Sequence, residues 1–192
     1  MTKRVSLTTK AHNIIQQYLA TGDYAIDATI GNGHDTLFLS RQVGIDGRVF
    51  GFDIQQQALD STLSKLESEH ISNNTLLFHI SHSKMEQYIP TQFYGKIKVI
   101  MFNLGYLPGS DKCLITHADS TLLALNQSIS LLAPSGILAI TAYPGHQGGD
   151  EETGQIKQWC NRLYAKQYTV QIIHSSDKKT APILFIIRKL AT

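Results

Sequence analysis

Two glycines and two acids lie close together in the segment DATIGNGHDT, which runs from Asp27 to Thr36. Gly31 and Gly33 permit a tight turn in which a ligand can approach bare backbone. Where such a turn leads into a helix, the unpaired N–H groups of the helix start can bind the ligand. A pyrophosphate-binding loop would have a third glycine where this chain has Asp35, and a carboxylate repels phosphate. The loop therefore favours a ligand that carries an ammonium group.

A further acid, Asp53, ends the next predicted strand, 22 residues after Gly31. An acid about 20 residues beyond a glycine loop is placed to hydrogen-bond the two hydroxyls of a ribose. A ribose and an ammonium group together favour an adenosine-containing cofactor, S-adenosylmethionine (SAM). For the loop alone, the alternative is a plain strand-to-helix turn in which Asp35 caps the helix. With the second acid the cofactor is favoured, and we expect its contacts at Asp27, Gly31, Asn32, Gly33, Asp35, Thr36 and Asp53.

Three more polar side chains follow the second and third predicted strands. They are Gln55, Ser81 and His82. The carboxyl ends of neighbouring parallel strands meet at one edge of a sheet, so we expect these residues to lie at the same edge as the glycine loop and Asp53. His79 and His82 are three residues apart and would face opposite sides of a strand. The sequence therefore predicts no metal site.

Two later loops could hold a substrate. Asn103, in FNLGYLPG, could accept a hydrogen bond from the N–H of an amine nucleophile, and Tyr106 could stack on a planar substrate. In YPGHQGGD, which follows the fifth predicted strand, His146 could remove or relay a proton. The first loop alone fits a Gly/Pro turn with a capping Asn equally well, and a lone loop histidine such as His146 is more often merely solvated. The acids that follow, residues 150–152, are most simply first-turn acids of the next helix.

Seven apolar runs alternate with helical periodicities after a short amphipathic helix, which predicts an α/β fold. Only about seven residues separate the last two runs, too few for a parallel crossover. We therefore expect a doubly wound, mostly parallel, Rossmann-like sheet with an antiparallel last strand. A helix stop and turn are expected at 132–136. The predicted strands are 24–29, 48–54, 75–81, 96–104, 136–143, 168–174 and 182–188.

The 192 residues fit one domain, residues 1–192, and contain no secretory signal or apolar run long enough to span a membrane. Two cysteines without a CxxC pair favour a reducing compartment, with the cytoplasm as default. The net charge of +2 divides into +3 for residues 1–22, −7 for 23–152 and +6 for 153–192. The basic ends could meet phosphates.

The segments DATIGNGHDT, GFDIQ, SH at 81–82, NLGYLPGSDK and YPGHQGGDEE resemble those of a family of small bacterial class I SAM-dependent methyltransferases. The family carries the label "putative rRNA methylase" and is associated with tRNA 5-(aminomethyl)-2-thiouridine methyltransferase activity. The resemblance covers essentially the whole chain. It implies substrate binding at the NLGYLPG and YPGH loops, and SAM contacts at Asn32, Gly33, Asp53, Gln55, Ser81 and His82.

The expected activity is methyl transfer from SAM to the aminomethyl group of the modified wobble uridine in tRNA. Catalytic roles are expected for Asn103, Tyr106 and His146. A SAM-dependent methyltransferase of rRNA or of a small amine is one alternative. A nicotinamide oxidoreductase and a non-catalytic module that binds SAM or RNA are alternatives from other classes. From its size and the resemblance, we expect a homodimer that spans an anticodon arm.

Overall fold

The computed structural model describes residues 6–105, 116–145 and 148–191. In this part of the chain, helices and strands alternate from β1 to α6, as the apolar runs predict. The helices are α1 (Leu7–Ile15), α2 (His34–Val43), α3 (Gln56–Ser68), α4 (Met85–Tyr88), α5 (Ala118–Leu131) and α6 (Gly149–Arg162). The strands are β1 (Tyr24–Asp27), β2 (Arg48–Asp53), β3 (Thr75–His79), β4 (Ile97–Asn103), β5 (Leu132–Ala142), β6 (Tyr168–His174) and β7 (Ile183–Lys189).

The strands of the described residues form one seven-stranded sheet with the order β3-β2-β1-β4-β5-β7-β6. Neighbours from β3 to β5 pair in parallel. Strand β7 runs antiparallel to both β5 and β6. The predicted doubly wound sheet with an antiparallel last strand is thus confirmed, because the short connection 175–182 can form only a hairpin.

Alternate residues of each strand serve two hydrophobic clusters on opposite faces of the sheet. In β4, Ile100 and Phe102 belong to one cluster, whereas Val99 and Met101 belong to the other. Helices α5 and α6 cover the first face, and α1 and α2 cover the second. Burial on both faces explains why these strands read as continuous apolar runs.

Strand β5 begins earlier than predicted. It starts at Leu132, directly after α5, and its pairing with β4 shifts between Leu132 and Ile137. Ser135 has a φ of 59°, in the left-handed region. The turn predicted at 132–136 is therefore an irregular stretch inside the strand, and it tolerates Pro134 because regular pairing is interrupted there.

The site lies at the carboxyl edge of the sheet, where the residues after β1 to β5 meet. This is the edge at which doubly wound sheets bind ligands, beside the switch in strand order between β1 and β4. The helices within residues 6–105, 116–145 and 148–191 are too short or too polar to span a bilayer.

Candidate active site

A cavity of about 600 Å³ opens at this edge. Its volume lies within the range of roughly 300–1,000 Å³ that is typical of small-molecule sites. Residues that follow β1, β2, β3, β4 and β5 all contribute to the wall, together with Thr8 of α1. The predicted site residues that line it are Gly31, Asn32, Asp35, Asp53, Gln55, Ser81, His82 and Asn103.

Three predicted cofactor residues, Asp27, Gly33 and Thr36, lie outside the cavity wall and support the loop, and their contact with the cofactor stays a prediction. The Thr36 hydroxyl donates to Asp27 Oδ2 at 2.6 Å, and the Thr29 N–H donates to Asp27 Oδ1 at 3.2 Å. Gly33 has a φ of 74°, and a Cβ there would lie 2.3 Å from the Thr62 hydroxyl oxygen. This glycine is therefore required by both conformation and space.

Two predicted catalytic residues, Tyr106 and His146, lie outside the described residues. Their roles stay predictions. Tyr143, from the second of the two substrate loops, does line the cavity. Burial and the nearby Asp35 carboxylate raise its pKa, so its phenol stays protonated at neutral pH.

Asp53 joins the ends of β1 and β2 at the cavity wall. Its Oδ2 accepts from the Gly31 N–H at 2.9 Å, and its Oδ1 accepts from the Gln55 N–H at 2.9 Å. Each carboxylate oxygen has a second lone pair, so the group can still accept from a ligand hydroxyl. The two backbone bonds hold the carboxylate in one orientation.

His82 is a buried, neutral imidazole. Burial lowers its pKa to about 4, against the opposing effect of a hydrogen bond with the backbone of Ala28. Its Nε2 has no hydrogen-bond partner among the described residues. Because buried polar atoms are rarely left unsatisfied, this nitrogen on the cavity wall is available to a ligand.

Asp35 lies at the centre of a polar cluster that sequence reasoning found only in part. One oxygen, Oδ1, is 2.6 Å from Nε2 of His12 in α1. The other, Oδ2, accepts from Nδ2 of Asn103 at the end of β4. Asn103 Oδ1 is buried and has no partner in the described part of the chain.

His12 was missed because it belongs to α1, for which the sequence indicated only an apolar face. The available signal was the spacing of Thr8 and His12, four residues apart and thus on the same side of the helix. Thr8 lines the cavity, and His12 contacts the cavity residue Asp35. Helix α1 therefore contributes to the site.

Glu152 was predicted only as a helix-start acid, yet its side chain is buried. It accepts from Thr121 at 2.7 Å and from Thr116 at 2.9 Å. Thr116 and Gly105 also form two hydrogen bonds with each other, both at 2.9 Å. The Gly105 N–H donates to the Thr116 hydroxyl, and the Thr116 N–H donates to the Gly105 carbonyl. Glu152 thereby fixes the two points where the chain leaves β4 and returns to α5.

The donors and acceptors of the cavity fit SAM. Asp53 offers a fixed carboxylate for ribose hydroxyls, and His82 Nε2 is a buried nitrogen without a described partner. Asp35 and Asp53 line the same cavity, and their carboxylates would suit a ligand that carries a sulfonium and an ammonium. The apolar part of the wall, which includes Phe52, Ile54 and Leu104, suits an adenine ring.

The sheet order, the antiparallel seventh strand and this cavity define a class I SAM-dependent methyltransferase. A family model described as "Putative rRNA methylase" matches residues 49–189, and the chain belongs to this family. This chain is 35% identical over 194 residues to a "tRNA (mnm(5)s(2)U34)-methyltransferase, chloroplastic" from Arabidopsis thaliana. That alignment covers 97% of this chain and 70% of the relative.

Two solved structures are similar over nearly the whole chain. A "putative rRNA-methylase" from Clostridium thermocellum has a TM-score of 0.91 and 36% identity, covering 99% of this chain and all of the other. A "putative methyltransferase" from Streptococcus mutans, in complex with SAH, has a TM-score of 0.85 and 34% identity with the same coverage. The chain is therefore a SAM-dependent methyltransferase with SAM as its cofactor, rather than a nicotinamide oxidoreductase.

Proposed function

We propose that this methyltransferase acts on the primary amine of an aminomethyl group on the wobble uridine of tRNA. The observation that carries the proposal is Asn103 Oδ1, a buried acceptor on the cavity wall that no described residue satisfies. Such an acceptor suits a nucleophile with N–H groups to donate, as a primary amine has. A tRNA substrate is supported by the Arabidopsis relative, which is named for tRNA position U34.

The cofactor side of the proposal uses the first three strand ends. Asp53 would accept from the ribose hydroxyls, while Gly31 and Asn32 let the cofactor approach the backbone. Ser81 and His82 would border the adenosine from the end of β3. When bound, SAM supplies a methyl group on a sulfonium that already has an excellent leaving group.

The protein's task on the substrate side is mainly alignment. The amine must be held in line with the methyl group, about 3 Å away. It must also be neutral to attack, and partial removal from water lowers the pKa of an amine. Asn103 can orient the lone pair without adding a charge, so the proposal requires no strong general base. Tyr143 lines the cavity and could stack on an unpaired anticodon base.

A single-turnover assay tests the proposal. Purified protein is mixed with methyl-labelled SAM and tRNA that lacks only the final methyl group, and label is followed into protein-free RNA. We expect label on the wobble uridine. Label on rRNA fragments or a small amine, with none on this tRNA, would show that the substrate is wrong. Binding of the tRNA without transfer would contradict the assigned activity.

The proposal also covers the domain organisation, the cellular compartment and the oligomeric state of the enzyme. We infer a single catalytic domain over residues 1–192 that works in the cytoplasm as a homodimer on the anticodon loop. The homodimer is inferred from the small size of this domain relative to an anticodon arm. Light scattering of the purified protein, alone and with tRNA, measures the assembly. A monomer in both conditions would contradict the homodimer.

A further inference from the structure

The amide of Asn103 has a donor end and an acceptor end, and its orientation decides which substrate group it can bind. Asp35 Oδ2 accepts from the amide nitrogen, so the amide oxygen points away from Asp35. That oxygen is buried without a described partner. An ionised carboxylate can only accept, so Asp35 selects the orientation in which Asn103 offers its acceptor end to the substrate.

Asp35 is itself held by His12. The distance from His12 Nε2 to Asp35 Oδ1 is 2.6 Å, and a carboxylate partner makes this ring nitrogen the donor. The imidazole stacks on Phe38 with ring centroids 3.8 Å apart and planes within 4°. Only 6% of the Asp35 side chain is exposed to solvent. A hydrogen bond in such a buried environment is stronger than one in water, so it holds the carboxylate in one orientation.

We propose that His12 is a positioning residue for methyl transfer: it fixes Asp35, which fixes the Asn103 amide with its oxygen toward the substrate amine. This inference rests on the proposed amine substrate. In the opposite orientation, the amide NH₂ would donate to the amine's lone pair, which is the electron pair that must attack the methyl group. Helix α1 thus sets the preference of the site for an N–H nucleophile.

Two variants of His12 separate the hydrogen bond from packing. His12→Phe keeps a flat ring against Phe38 but has no donor, whereas His12→Gln retains an amide N–H that can reach Asp35. We expect His12→Phe to lower the single-turnover rate at saturating tRNA and SAM about 10- to 100-fold, as small misplacements do. His12→Gln should restore most of that rate, and SAM affinity by calorimetry should stay unchanged in both.

A spectroscopic arm needs no substrate. The side-chain amide signals of Asn103 are assigned in ¹⁵N-labelled protein by their loss in Asn103→Asp. We expect them to move in His12→Phe and to stay near the wild-type position in His12→Gln. His70→Asn, at an exposed position between α3 and β3, is the matched control, since asparagine tolerates the φ of 58° found there, and it should leave both the signals and the rate unchanged.

Several outcomes would overturn the inference. These are a wild-type rate in His12→Phe, an equal loss in both variants, or weaker SAM binding, which would show that His12 acts through the cofactor side of Asp35 rather than through Asn103. If wild-type protein leaves the tRNA unmethylated, the proposed substrate fails. The amide signals then decide the inference alone, because unmoved signals in His12→Phe would refute it and moved signals would support it.

Discussion

Asp53 has two roles, since it accepts from two backbone N–H groups and faces the cavity. We expect Asp53→Ala to weaken SAM binding by on the order of 1.5–3 kcal/mol, the usual loss for a charge-assisted hydrogen bond. Calorimetric titration with SAM measures the change. The control is Asp23→Ala, which also removes a carboxylate that accepts a backbone N–H, but at an exposed turn. Unchanged affinity in Asp53→Ala would remove this residue from the site.

Asn103 lies on the part of the cavity wall that we assign to the substrate amine. Asn103→Ala removes the proposed amine acceptor and leaves the Asp53 contacts intact, so we expect lower turnover with unchanged SAM affinity. Asn73→Ala, at an exposed position before β3, serves as the control and should match the wild type. Turnover and calorimetry on the same preparations make the comparison. Equal losses of turnover and SAM affinity would assign Asn103 a structural role.

Asp27 makes the stability of the folded protein depend on pH, and the sign of this dependence follows from the direction of its pKa shift. Burial and the charge of Asp35 raise its pKa from 3.8 to about 7. Between about pH 4 and pH 7 the folded state therefore keeps a proton that the unfolded chain has lost, and this contribution to stability is lost as the pH rises. We expect Asp27→Asn, which cannot ionise, to gain stability relative to the wild type across this window.

The comparison must be made with the variant, because His82 acts in the opposite direction. Its lowered pKa makes the folded state lose stability as the pH falls from about 6.5 to about 4. Subtracting wild-type from Asp27→Asn unfolding free energies, measured by denaturant titration at each pH, removes the His82 contribution. A difference that stays constant with pH would show that Asp27 titrates normally.

For the helices and strands, the sequence predicted the features that depend on the local pattern of apolar residues. All seven strands, the antiparallel hairpin and the carboxyl-edge position of Asp53, His82 and Asn103 follow from apolar runs and chain order. The role of His12 does not, because it arises only when α1 packs against the start of α2. Such contacts between distant segments have no periodic signal.

Glu152 shows the same limit from another direction. Acids at 150–152 all fit the start of α6, and only packing reveals that one of them is buried against α5 and the end of β4. Asp27 is a related case: an acid beside a glycine loop predicts a ligand contact, and the structure adds a hydrogen bond from the Thr36 hydroxyl to this carboxylate that the sequence did not predict. Residue type alone does not distinguish these duties.

The Glu152 cluster predicts how α6 supports the substrate side. We expect Glu152→Ala to lower the free energy of unfolding by about 1–3 kcal/mol, because it leaves the buried Thr121 hydroxyl without its acceptor. Methyl transfer should fall as well, since Thr116 and Gly105 lose their anchor, while SAM affinity should hold. Denaturant unfolding, single-turnover assays and calorimetry measure these three quantities.

The neighbouring acid provides the control for this cluster. Glu151 is exposed, and its carboxylate contacts Gln155 one turn along the same helix. Glu151→Ala removes the same charge from the same helix start, so we expect almost no change in stability or transfer. If both alanine variants behave alike, the effect of Glu152 comes from helix-start charge rather than from the threonine contacts.

In the whole molecule, the acidic and basic parts of the chain lie in different places relative to the cavity. The acids of the middle segment include Asp35 and Asp53 at the cavity, whereas Lys178 and Lys179 are exposed in the turn that joins β6 and β7. This turn lies against the segment after β5: a Cβ on Gly145 would be 3.0 Å from the Thr180 carbonyl oxygen. The basic turn is therefore next to the segment that carries Tyr143, a residue of the cavity wall.

This arrangement predicts different salt responses for the two ligands. Binding of lysines to phosphates releases counterions, so tRNA affinity should fall steeply with salt, while SAM affinity should change little. For Lys178→Ala combined with Lys179→Ala, we expect the slope of log affinity against log salt to become shallower by about 0.7–0.9 for each phosphate that these lysines neutralise in the wild type. Filter binding over a salt series measures the slope.

The matched control for the basic turn is Lys96→Ala combined with Lys98→Ala. These lysines are at the amino-terminal start of β4, on the opposite edge of the sheet from the cavity. The control removes the same charge from the whole molecule, so a general electrostatic effect would change the slope equally in both double variants. A change confined to the 178–179 variant locates the RNA backbone at the turn, because only groups that displace counterions contribute to the slope. Equal slopes in both variants and the wild type would leave that turn without a role in binding tRNA.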